Sequence, residues 1–475
     1  MLFNSINFLI FFPIVSILYF ALPYKLRWVL LLVASCVFYM FFVPIYILIL
    51  FVTILIDYFA AIYISRTEGK KKKLMLVISI LSTCVVLFIF KYFNFFNDNF
   101  KMLADAVHWN YGVHALKILL PIGLSFHTFQ SLSYVIEVYR GNQKAEKHFG
   151  IYSLYVMFYP QLVAGPIERP QNMLHQFYEK HDFNYDDVTY GLKRMAWGMF
   201  KKVVIADRIA TYVNAVYNNA DKHNGTSLLV AAILFSFQIY CDFSGYSDIA
   251  IGSARVMGFK LMTNFNTPFF SRSVSEFWRR WHISLSTWFN DYLFTPLIVA
   301  WRDWGKFGTV LALLVTFFVS GLWHGAGWTF IVYGLLHGVA ISYEFLIRKT
   351  RKKWSKTVPG FLYDNLSVLI TFLFVSFSWI FFRANSFHDA MSIIHKIIFE
   401  RGKLFLGDKK ALAYSSCFIG LLLVIEIFQV HKLFNGFSLY NNKHKLVRYC
   451  TYSALVIFLV LFGVFNGGQF IYFQF

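Results

Sequence analysis

Few residues in this chain are placed to do covalent chemistry, and His324 stands apart from the others. It lies in Ser320-Gly321-Leu322-Trp323-His324-Gly325-Ala326-Gly327-Trp328, within a run from Gly308 to Tyr343 that contains no Asp, Glu, Lys or Arg. An ionisable group so deep in apolar sequence is costly in a membrane, which makes it a candidate functional group. The flanking glycines permit a helix break and a close backbone approach by a ligand. A neutral imidazole there offers one ring nitrogen as a base. A histidine hydrogen-bonded between two packed helices accounts for the same position.

His282 is the second candidate, in Phe277-Trp278-Arg279-Arg280-Trp281-His282-Ile283-Ser284. On a helix Trp278 and His282 share a face. Arg279 and Arg280 suit phosphate or carboxylate, and equally suit lipid headgroups on an amphipathic surface helix. Lys201 and Lys202 are further cations for a phosphorylated donor, although loop lysines need no such role. His337 reads as a packed polar contact. Asp242 and Asp248 sit among apolar neighbours, where either could orient an imidazole or satisfy helix backbone. Glu168 and Arg169 are adjacent in a proline-bounded turn and read as a pair. No phosphate-binding glycine loop, G-x-S-x-G elbow, H-E-x-x-H or CxxC occurs. The five cysteines and fourteen histidines show no metal spacing, so no metal is expected.

The elements that position these residues are membrane helices. The chain of 475 residues is 58% hydrophobic and only 14% charged, and its 57 phenylalanines are spread along its whole length. A soluble domain carries about a quarter charged residues. Residues 1–24 lack a basic start and a cleavage site, and read as a retained first span. Trp28 to Ile56 reads as two spans joined at Pro44. Leu74 to Phe90, Leu366 to Phe382 and Tyr449 to Phe475 are further uncharged runs. Gly308 to Tyr343 exceeds one span of about 20 residues and must break or cross twice. The formal net charge of +20 lies mainly in loops, where the positive-inside rule and anionic lipid explain it better than nucleic acid does. Basic clusters near residues 66–73, 140–147, 201–208, 348–356 and 443–448 mark cytoplasmic loops; residues 383–410 break that alternation. Segments 172–192 and 266–295 are too polar to face lipid and fit interfacial or re-entrant helices. The expectation is one all-α integral membrane domain, residues 1–475, with roughly 10–12 transmembrane helices.

Four segments in this order resemble the membrane-bound O-acyltransferases: Tyr159 to Ile167, Asp242 to Asp248, Phe277 to Trp288, and Ser320 to Trp328. The similarity covers nearly the whole chain and is strongest to the branch of bacterial alginate O-acetyltransferase membrane subunits. It implies a ring of helices around a central tunnel, with His324 as the catalytic histidine and His282 as a second active-site histidine. It implies a cytoplasmic thioester donor, acetyl-CoA or a carrier-protein thioester, and no bound cofactor. It implies O-acetylation of an extracytoplasmic polysaccharide, such as an alginate-like exopolysaccharide or peptidoglycan, with an extracytoplasmic SGNH-type acetyltransferase as partner. The location implied is the bacterial cytoplasmic membrane.

A thioester is already activated, so the protein needs only a base at the attacking hydroxyl and donors for the developing oxyanion. His324 fits the base; the N–H of Gly325 or Gly327, or the indole of Trp323, fits the donor. At the chain end, Gly467 and Gly468 let the tail from Gln469 to Phe475 fold back. Tyr472 there is either an interfacial anchor or, by similarity to the terminal motif of the small accessory protein of teichoic-acid D-alanylation, an acyl carrier. A transporter or flippase for an envelope glycan is the alternative function. It calls for several acids at membrane depth and an internal repeat, neither of which is evident.

Overall fold

The structure, a computed structural model, describes residues 1–116, 118, 120–163, 165–431, 444–465, 470 and 471. No β-strand occurs among them. Among the described residues, eight helices are long and apolar enough to cross a bilayer: Pro44–Arg66, Gly69–Ala106, Gly225–Val256, Arg302–His324, Trp328–Leu346, Gly360–Arg383, Lys409–His431 and Lys445–Phe462. The apolar helix Ile6–Ala21 is shorter, at 16 residues. The protein is an all-α, multi-pass membrane protein.

Local sequence sets the breaks. Tyr24–Met40 ends ahead of Pro44, which opens a single 3₁₀ turn before Ile47–Arg66 begins. Proline suits that first position because it fixes φ and has no N–H to leave unsatisfied. The long uncharged run after Gly308 does cross twice. Its two helices, Gly305–His324 and Trp328–Leu346, are separated by Gly325-Ala326-Gly327. The polar segment 266–295 holds the short helix Val274–Arg280 and a second helix, Ile283–Phe289, that continues through the π-turn Asn290–Phe294 into Thr295–Ala300. The seven residues of Val274–Arg280 reach about 10 Å, far short of a bilayer core.

The chain forms two compact units, Met1–Leu192 with Ala250–Met262, and Lys193–Ile249 with Thr263–Phe475. In the first, Ile47–Arg66 carries a buried acid, Asp57, whose carboxylate accepts from Ser79 Oγ at 2.6 Å and from Thr83 Oγ1 at 3.3 Å. Also in this unit, Glu168 accepts the backbone N–H of Met262 at 2.5 Å, a contact its proximity to Arg169 did not suggest. In the second unit an aromatic core surrounds Trp281, with the rings of Phe265, Phe277 and Trp379 at 5.0, 5.4 and 5.0 Å. Such ring pairs are worth about 0.5–1.5 kcal/mol each beyond their burial. All the residues discussed below belong to this second unit.

Candidate active site

The two helices of the hairpin touch through glycine. A Cβ at Gly321 would fall 2.3 Å from Phe330 O, and one at Gly334 would fall 2.2 Å from Phe317 O. Lipid offers no hydrophobic drive for helix pairing, so close backbone approach of this kind is what holds such helices together. His324 ends the first helix and is buried. Its ring meets Trp323 at 4.9 Å, Phe382 at 5.5 Å and Tyr333 at 5.7 Å. Gly325 leaves room for the Phe330 ring, which a Cβ would meet at 2.2 Å. Its N–H donates to Gly321 O at 3.4 Å, and that of Gly327 donates to Gly325 O at 3.1 Å. These two backbone donors are engaged within the turn. Trp323, whose indole is the third oxyanion donor expected from the sequence, is buried against the His324 ring.

His337 lies on the second helix and is fully buried. Trp278 Nε1–H donates to its Nδ1 at 3.1 Å, so Nε2 carries the proton and donates to Ser378 Oγ at 2.9 Å. Ser378 in turn donates to Val375 O at 2.7 Å. With both ring nitrogens used, His337 is a packing residue.

His282 is held differently. It sits at the corner between two short helices with φ 43° and ψ 53°, a left-handed conformation that costs a non-glycine residue about 1–2 kcal/mol. Asn264 stabilises this corner. Its Oδ1 accepts from Ser284 N at 3.2 Å and Ser284 Oγ at 2.9 Å, its backbone O accepts from Ile283 N at 2.9 Å, and its Nδ2 donates to Ser247 Oγ at 3.3 Å. The same Oδ1 lies 3.1 Å from His282 Nδ1. Because a backbone N–H identifies that atom as an acceptor, a neutral His282 carries its proton on Nδ1 and its lone pair on Nε2. That is the form a general base requires. Phe243 meets the His282 ring edge-on at 4.6 Å, and Trp323 lies 6.0 Å away. The Trp323 indole is thus a neighbour of both imidazoles.

Beside this pair lies a buried charged cluster. Gly198 and Gly245 bring their helices together: a Cβ at Gly198 would stand 2.5 Å from Gly245 O. The contact places the π-turn Phe200–Ala206 against Asp242 and Asp248. Lys201 Nζ donates to Asp248 at 2.6 Å and Ser244 Oγ at 3.0 Å, while Arg194 Nε pairs with Asp248 at 2.9 Å. Lys202 Nζ pairs with Asp242 at 2.6 Å and Asp207 at 2.7 Å. Burial pushes the Asp207 carboxyl upward, against the opposing pull of Lys202. The structure places Lys201 and Lys202, expected from the sequence to meet a phosphorylated donor, inside this cluster. Both ammonium groups are buried and engaged by carboxylates, because a charge in this packed setting must be paired. Arg280 pairs with Glu276 at 2.7 Å. Arg279 is exposed and donates to Ser275 Oγ at 2.9 Å, which leaves it the most accessible of the four expected cations.

The chain end reaches the same place. Phe470 stacks on Tyr246 at 4.7 Å and meets Phe243 at 5.5 Å. The N–H of Ile471 donates to Asp242 Oδ2 at 2.7 Å. Tyr472 lies outside the described residues. The sequence reading missed Asn264, since an asparagine 18 residues before a histidine carries no local signal. No group of three or more His, Cys, Asp or Glu among the described residues is placed to hold a metal ion.

Residues 147–384 match the membrane-bound O-acyltransferase family. The chain is 34% identical over 402 residues to the peptidoglycan O-acetyltransferase of Helicobacter pylori, covering 78% of this chain and 73% of that one. It is 34% identical over 447 residues to the probable alginate O-acetylase AlgI of Pseudomonas aeruginosa, covering 92% and 82%. To the teichoic acid D-alanyltransferase of Bacillus subtilis it is 30% identical over 279 residues, covering 56% and 69%. With its extent of match and its buried histidines on a shared indole, the chain belongs to the membrane-bound O-acyltransferase family and is an O-acyltransferase.

Proposed function

We propose that this protein takes an acetyl group from acetyl-CoA at the cytoplasmic face of a bacterial inner membrane and delivers it outward for O-acetylation of an envelope polysaccharide. The observation that carries the reading is the pair of buried imidazoles flanking Trp323, with Asn264 fixing one of them in base-competent form. His324 acts as base on the attacking hydroxyl. The hydroxyl oxygen bonds to the thioester carbon, the C–S bond breaks, and the proton returns to the coenzyme A sulfur. The Trp323 indole N–H is directed at the oxyanion, and His282 holds or passes a proton through Nε2. Arg279 meets the donor phosphates.

Tyr472 is proposed as the hydroxyl that first accepts the acetyl group. It follows directly after Ile471, which is anchored beside the histidine pair. A phenol of pKa about 10 is a better leaving group than a sugar alkoxide, so its acetyl ester can pass to a downstream nucleophile. An extracytoplasmic SGNH-type transferase supplies that nucleophile and selects the polymer. Alginate-like polysaccharide and peptidoglycan are the acceptors suggested by the named relatives. The test is mass spectrometry of envelope glycans from a deletion strain. Loss of O-acetyl groups, restored by the wild-type gene and not by one carrying Tyr472→Phe, supports the reading. Unchanged acetylation in the deletion strain refutes it.

A further inference from the structure

The buried charge cluster has a feature that ion pairing alone does not explain. Lys202 faces two carboxylates, Asp207 and Asp242, so one cation meets two acids in a site where all three side chains are buried. A balanced pair needs only one acid, and each additional buried charge carries a desolvation cost. The second carboxylate has a separate contact. Asp242 uses Oδ1 for Lys202 and Oδ2 for the backbone N–H of Ile471, 229 residues further along the chain.

We infer that Asp242 is a positioning residue that latches the C-terminal segment into the histidine site, with Lys202 and Asp207 holding its carboxylate in place. Three observations support this. First, the contact uses the backbone of Ile471, so it fixes the path of the chain and not one side chain. Second, Phe470 and Ile471 are buried, at 1% and 3% exposure. Third, the rings that receive Phe470 are Tyr246 and Phe243, and Phe243 is also the edge-on neighbour of His282. The latch, the docked ring and the imidazole are therefore linked through one side chain. A one-residue slip of the tail would take the N–H away from Asp242 and the ring away from Phe243 together. The inference rests on the reading that these histidines carry out acyl transfer.

The test is a double-mutant cycle read as acetyl content of envelope glycans in the deletion strain, with variant abundance matched by immunoblot. Asp242→Ala removes the acceptor. Ile471→Pro removes the donor and leaves the charge cluster intact. Each is expected to reduce acetylation about 10–100-fold, as for loss of a buried hydrogen bond to a charged group. Because both break the same contact, the double variant is expected to be no worse than the weaker single variant. Asp242→Asn retains a neutral acceptor and should recover at least a tenth of wild-type acetylation. If Asp242 only balances Lys202, Ile471→Pro will behave as wild type or the two losses will multiply; either result overturns the latch. If the latch fails while His324→Ala still abolishes transfer, the acyltransferase reading stands without it. If His324→Ala leaves transfer intact, the reading itself has failed.

Discussion

Replacing Asn264 should disable the site without touching either histidine. Its side chain takes part in four hydrogen bonds, to Ser284 N, Ser284 Oγ, His282 Nδ1 and Ser247 Oγ, all in buried surroundings. In Asn264→Ala the donors on Ser284 and His282 lose their acceptor. A typical intramolecular hydrogen bond contributes about 1 kcal/mol and a stranded buried donor costs about 1–3 kcal/mol. Water entering the vacated space recovers part of this, so the expected loss is about 3–5 kcal/mol of stability. The left-handed corner at His282 also loses its support, and the His282 proton is no longer held on Nδ1. Acetyl transfer should then fall about 10²–10⁴-fold, as for removal of a general base. The assays are thermal unfolding in detergent and turnover of labelled acetyl-CoA by purified protein. Transfer within a few-fold of wild type in folded Asn264→Ala would refute the argument that Asn264 sets the His282 tautomer.

Three further outcomes are expected. Gly334→Ala forces a methyl group against Phe317 O, so the hairpin must open and lose about 1–3 kcal/mol, seen as a lower unfolding temperature with reduced transfer. Trp278→Phe removes the donor to His337 Nδ1 and should cost about 1–2 kcal/mol of stability while transfer stays within a few-fold, since His337 serves packing. Arg279→Glu should raise the KM for acetyl-CoA and leave a phosphate-free acetyl thioester unaffected, whereas Lys201→Glu sets a buried carboxylate against Asp248, which keeps only Arg194 as its cation, and should strongly destabilise the fold; equal KM effects on both donors would remove Arg279 from phosphate binding.

The features legible in the sequence were those set by local rules. An uncharged run longer than one span had to break or cross twice, and the glycines around His324 permitted the break. Pro44 marked a helix start for the same kind of reason. What was not legible depended on long-range packing. Lys201 and Lys202 looked like loop cations because Asp248 and Asp242 lie 47 and 40 residues further along the chain, brought close by the Gly198–Gly245 contact. The basic residues of 383–410 disturbed the loop-charge pattern for a similar reason. Lys396 Nζ satisfies the carbonyls of Ala220 and Asp221, at 3.1 and 2.8 Å, and Arg383 donates to Asn214 and Asn218 at 2.9 and 3.0 Å. Those charges cap structure and are poor reporters of membrane side. The role of His282 was suspected from its neighbours, but its tautomer required Asn264, whose orientation only the folded chain defines.

The most direct measurement of the central claim is single-turnover transfer from labelled acetyl-CoA by purified His324→Ala protein, alongside its thermal unfolding. Transfer reduced about 10²–10⁴-fold, with an unfolding temperature close to wild type, is the predicted result. Transfer within a few-fold of wild type in the folded variant would contradict the account.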